Sequence, residues 1–201
     1  AAESEMMRSN GYDWTPDDQL RCLGGPLQRV TEYMSECLNG AKTPEQLGDL
    51  IVEEMKRRMV GKVSLMPGAL EFSRELSKAR IAQALVSASP RLIVDAVLIG
   101  MDEKYFLHSV AAGDIERTKP FPDPYLHAAK LLGVDIAQSL IFEDSPTGIT
   151  AAVASGAFVV AVPHYVQVQE QPRLKVISSF EDITRADLER WSEINQRELG
   201  R

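Results

Sequence analysis

A chain of 201 residues with 44% hydrophobic content holds enough apolar material for one substantial core, or for a core and a smaller companion domain. Its net charge of -7 argues against nucleic acid and acidic membrane surfaces as partners and favours a small-molecule role. No apolar stretch is long enough to span a bilayer, and no secretory leader is visible.

The pattern before Pro67-Gly68 is helical. Thr15-Pro16-Asp17-Asp18 reads as an N-cap, a proline at the first helical position and acids in the first turn. Thr43-Pro44-Glu45 repeats that signal. Leu27, Val30, Tyr33, Met34, Cys37 and Leu38 fall on one helical face, and Leu47, Leu50, Ile51, Met55 and Met59 on another. Residues 1–66 are expected to form a small helical bundle. Cys22 and Cys37 match no zinc spacing and make no disulfide framework, so reduced thiols in the cytoplasm are expected.

Residues 67–201 read differently. Leu70 to Leu76 predicts a helix and Ile81 to Val86 a strand, after which Ser89-Pro90 caps another helix. His108–Ala112, Ser139–Phe142, Phe158–Val162 and Lys175–Ser178 are further strand-length segments. Helices are expected over Pro122–Leu132, ended by Gly133, over Pro146–Ser155, and from Thr184 to Trp191. Strands alternating with helices of this length predict an α/β fold with a parallel, doubly wound sheet.

Three polar features follow three of these strands: Ser87-Ala88-Ser89, Lys119-Pro120 and Glu143-Asp144. Parallel strands bring their carboxyl ends to one edge, so these groups are expected to meet in one crevice. Ser87 offers a hydroxyl, the backbone N–H groups of Ala88 and Ser89 open a helix, and Lys119 brings a compact positive charge. Two adjacent carboxylates repel unless a cation sits between them, and Glu143 and Asp144 are hard oxygen ligands suited to Mg²⁺. Donor, cation and metal together suit a phosphoryl group. Taken singly, Ser89-Pro90 is a helix cap, Lys119 a solvated lysine, and Asp144 a complement to a helix dipole. Their order and their fit to one ligand favour the site.

On these residues the chain resembles the haloacid dehalogenase-like hydrolases, in the branch with a helical cap inserted early in a Rossmann-like core. Ser87 matches the family's strand-closing Ser or Thr, Lys119-Pro120 its Lys motif, and Glu143-Asp144-Ser145-Pro146-Thr147-Gly148 its acidic motif. Leu23-Gly24-Gly25-Pro26-Leu27 resembles the cap loop that overhangs the site, which makes Gly24 and Gly25 candidate substrate contacts. The family's first motif, a strand ending in Asp-x-Asp, has no counterpart between Ala1 and Arg201. The resemblance implies that it lies just upstream of Ala1, and that without it the core exposes unpaired strand edges.

The resemblance further implies Mg²⁺-dependent hydrolysis of a small phosphorylated metabolite through an aspartyl-phosphate. Ser87 and Lys119 would hold the phosphoryl group, and Asp144 the metal with Glu143 beside it. We expect a monomer or weak homodimer. A phosphosugar mutase of the β-phosphoglucomutase type is the alternative, although Leu27 stands where such mutases carry an Arg, with Arg29 nearby. A non-catalytic phosphate or metabolite binder is the other. Lys56, Arg57 and Arg58 form a charge run that reads as a solvated helix face.

Overall fold

The computed structural model describes residues 2–23, 26–59, 65–101, 104–163 and 167–198, apart from the side chains of residues 2, 56, 58 and 59. Its first part is helical: α1 (Ala2–Ser9), α2 (Pro16–Cys22), α3 (Leu27–Cys37) and α4 (Pro44–Met59). At α2 the Asp18 amide donates to the Thr15 hydroxyl at 3.2 Å, and the Thr15 amide donates back to the Asp18 carboxylate at 2.8 Å. Thr43 and Gln46 exchange the same pair of bonds ahead of α4. Each exchange satisfies two amides that a helix start leaves without partners.

Met7, Trp14, Val30, Met34, Leu47 and Ile51 bury themselves at the centre of this unit. Leu50, expected on the inner face of α4, is 42% exposed. Leu47 and Ile51 are four residues apart and already fill the inner stripe, which leaves Leu50 on its flank.

The second part begins at α5 (Ala69–Lys78), followed by β1 (Ala84–Pro90), α6 (Arg91–Ile99), β2 (His108–Ala112), α7 (Asp123–Leu132), β3 (Leu140–Glu143), α8 (Pro146–Ser155), β4 (Phe158–Ala161), β5 (Leu174–Val176) and α9 (Arg185–Glu198). Gly68 enters α5 at φ 77°, and a Cβ there would stand 2.6 Å from the Glu181 amide. Glycine is required on both counts.

Most boundaries agree within two residues, and two elements, β1 and α9, differ by more. The strand predicted from Ile81 starts at Ala84 and runs through Ser89-Pro90, so α6 opens without a side-chain cap. Residues 81–83 are a connector: Gln83 turns its amide inward onto the Ser73 carbonyl and the Ser77 hydroxyl, and Ile81 is 49% exposed. At the other end, α9 continues past Trp191 because Asn195 is buried, accepting from Arg173 and donating to the Ala137 carbonyl.

All strand pairs in the two sheets are parallel. β1 pairs with β2, and β4 lies between β3 and β5. β4 is buried on both faces, as strands covered by helices on both sides are. Phe158 and Val160 pack with Trp191 of α9, and Val159 and Ala161 with Ile149 and Ala152 of α8. Among the described residues, β1 and β3 each pair with a strand on one edge only. Lys119 links them: its ammonium donates to the Val86 carbonyl of β1 at 3.2 Å and to Glu143 at the end of β3.

Candidate active site

The carboxyl ends of β1 and β3 open into a cavity of about 420 Å³, roofed by the helical part. Ser87, Ala88, Ser89, Lys119, Glu143 and Asp144 all line it. The structure therefore brings the three expected features together. Gly24 and Gly25 lie outside the described residues.

Ser87 to Ser89 form the first wall. Val86 pairs with Val110 and Pro90 with Ala112, so the register between β1 and β2 breaks across these three residues. Their backbone leaves the regular ladder there, and the Ser87 hydroxyl accepts from the Ser89 amide at 3.1 Å. The serines thus shape a bulge at the end of β1, in place of the helix cap expected of Ser89.

The two acids have separate places. Glu143 is 8% exposed. One of its carboxylate oxygens receives Lys119 and the Tyr125 hydroxyl. The other receives the amides of Asp144 and Ser145 at 3.0 and 3.2 Å and the Ser145 hydroxyl at 3.1 Å. Burial disfavours its charge, but the Lys119 ammonium and these hydrogen bonds prevail and hold the carboxyl below its ordinary value. Tyr125 responds oppositely: burial first and the Glu143 charge second push its phenol far up.

Asp144 is exposed and points the site's open carboxylate at the cavity. Partial loss of water first, and repulsion by Glu143 second, raise it above the usual carboxylate range. A cation beside it would relieve that repulsion. Among the described residues no cluster of three or more His, Cys, Asp or Glu forms a metal cage. Mg²⁺ does not need one, since it binds through one or two carboxylates, waters and a substrate phosphate. The donor set fits that ion, with Asp144 as the accessible oxygen ligand.

Three residues complete the surroundings of the acids: Ser145, at the helix start that the sequence marks as Ser145-Pro146, and two whose roles were not expected, Gly148 and Tyr125. Ser145 caps α8, its hydroxyl accepting from the Gly148 amide at 3.1 Å. Gly148 has no room for a side chain, because a Cβ would lie 2.2 Å from the Glu143 carboxylate. Tyr125 orients both charges, with the Lys119 ammonium 5.0 Å from its ring centre. The aromatic residue six positions after Lys119, in the first turn of a helix, was the available signal for Tyr125.

In the helical part, Arg29 and Arg57 are engaged elsewhere and do not line the cavity. Arg29 donates to the Arg21 carbonyl at 3.2 Å, and Arg57 is bound to Glu54. Lys56 and Arg58 have side chains outside the described set. Leu27 lines the cavity.

The geometry defines a parallel α/β protein with a lysine, a serine bulge and an acid pair gathered at its strand ends under a helical roof. Residues 2–162 match the model of the haloacid dehalogenase-like hydrolase family, and the chain belongs to that family. It is 31% identical to Protein CbbY of Rhodobacter capsulatus over 175 residues, covering 81% of this chain and 76% of that protein. It is 29% identical to hexitol phosphatase B of Escherichia coli (strain K12) over 199 residues, covering 93% and 87%. Of several other curated relatives the chain spans less than half the length. The crystal structure of β-phosphoglucomutase from Clostridium difficile superposes with a TM-score of 0.80 at 18% identity, over 100% of this chain and 90% of that one. That likeness is one of fold.

Proposed function

We propose that the chain forms the cap and core of a Mg²⁺-dependent phosphatase acting on a small phosphomonoester. The observation that carries this reading is the convergence of Ser87, Lys119 and Asp144 on one cavity. The phosphatase names of relatives such as hexitol phosphatase B support the same reaction class.

Each residue has a role in the proposed reaction. The Ser87 hydroxyl and the Ala88 amide hold phosphoryl oxygens. Lys119 carries three N–H donors, and Val86 and Glu143 engage two of them, so the third serves the phosphate. Glu143 keeps that ammonium charged and aimed. Asp144 would hold the metal, which when bound neutralises phosphoryl charge and orients the group for in-line attack.

The half-paired edges of β1 and β3 support one further element. A parallel strand seated between them would bring its carboxyl end beside Ser87, Lys119 and Asp144. An aspartate there attacks phosphorus as the ester P–O bond breaks, and water then cleaves the aspartyl-phosphate. Residues 1–66 act as the cap that excludes water from the first step.

Arg29 faces away and Leu27 lines the cavity, which favours a phosphatase over a mutase. The test follows inorganic phosphate and sugar-phosphate isomers together, using full-length protein with Mg²⁺. Phosphate release that a chelator stops supports the phosphatase. Isomer formation without release supports the mutase, and phosphate binding without turnover supports a non-catalytic binder.

A further inference from the structure

The cap side of the cavity carries a polar group whose orientation follows from chemistry alone. The Trp14 indole N–H donates to Gln19 Oε1 at 3.2 Å. An indole N–H only donates, so it must meet the amide oxygen and leave the NH₂ end turned away. Gln19 lines the cavity, and that NH₂ group has no partner among the described residues. The anchor is rigid: Trp14 is buried and packs edge-on against Tyr12 and Tyr33 at 6.4 and 6.0 Å between ring centres. Two donors are thus held ready over the site, and holding them so lowers the ordering cost of binding.

The surroundings of Gln19 narrow what it meets. Leu27, Val30, Val52 and Met55 give the roof apolar walls.

We propose that Gln19 is a specificity-determining donor for the alcohol half of the substrate. The inference rests on the phosphatase reading of the same site. The NH₂ group of Gln19 donates to a substrate hydroxyl or ether oxygen, while the apolar walls take the carbon skeleton.

Calorimetric titration of full-length protein, with Ca²⁺ in place of Mg²⁺ to slow turnover, tests this with three probes: inorganic phosphate, phenyl phosphate and a hexitol 6-phosphate. Wild type should bind the hexitol monophosphate more tightly than phenyl phosphate. Gln19→Leu and Gln19→Ala should weaken the hexitol monophosphate about tenfold, the scale of a lost hydrogen bond in a buried site. Inorganic phosphate and phenyl phosphate should bind each variant as they bind wild type, which also shows the variants to be folded. Equal losses for all probes, or no loss for the hexitol phosphate, would overturn the assignment of Gln19. Failure of wild type to bind any of the three would overturn the phosphate site beneath it.

Discussion

Lys119 and Glu143 form a buried ion pair across the gap between the two sheets, each side chain only 6% exposed. The pair joins β3 to β1, because the same ammonium holds the Val86 carbonyl. Lys119→Met should strand a buried carboxylate and cost about 3–5 kcal/mol of stability. Adding Glu143→Gln should restore most of that loss in urea unfolding, while phosphate binding stays absent. Equal stability of wild type and Lys119→Met would show that the pair is not coupled.

Gly148 lets α8 start directly over Glu143. Gly148→Ala places a methyl group where the carboxylate sits. Overpacking of this kind costs about 1–3 kcal/mol, and here it also displaces the partner of Lys119. A lower melting temperature together with weaker phosphate binding is expected. A variant that melts and binds like wild type would show that Glu143 does not need its present seat.

Asp144 should behave in the opposite way, because it is exposed and supports little of the fold. Asp144→Asn should leave stability within about 0.5 kcal/mol and remove the response of phosphate release to Mg²⁺. Retained Mg²⁺ dependence would place the metal ligand elsewhere.

Asp18 gives the cap a pH dependence. The Tyr33 hydroxyl first, then the Thr15 amide and hydroxyl, hold its carboxyl below the ordinary value of 3.8. The folded value lies below the unfolded one, so the stabilisation is complete above about pH 4 and fades as pH falls through the folded value. Chemical unfolding from pH 6 down to pH 2 should show wild type converging on Asp18→Asn at the acid end. A stability gap that stays constant across that range would rule out a role for Asp18 ionisation.

Local signals were the ones legible in the sequence. The Thr15-Asp18 cap needs only four neighbouring residues, and β2 spans the His108–Ala112 segment expected from the sequence. Ile81 is apolar and strand-like but exposed, because Gln83 beside it, and not Ile81, is the residue tied to α5. Ser87, Lys119 and the acid pair were legible because strand ends collect chemistry in parallel sheets. The different fates of Glu143 and Asp144 were not, since they depend on how α7 and α8 approach β3. Tyr125 and Gly148 are set by that approach, and Gln19 gains its role only through Trp14, a contact within the folded cap.

The central claim is that Ser87, Lys119 and Asp144 surround one phosphate in the presence of Mg²⁺. Phosphorus NMR of inorganic phosphate, titrated with full-length protein and Mg²⁺, measures this directly. The account predicts a shifted, broadened phosphate signal that returns to the free position in Lys119→Met and, when Mg²⁺ is the variable, in Asp144→Asn. An unperturbed signal with wild type, or the same perturbation in both variants, would contradict it.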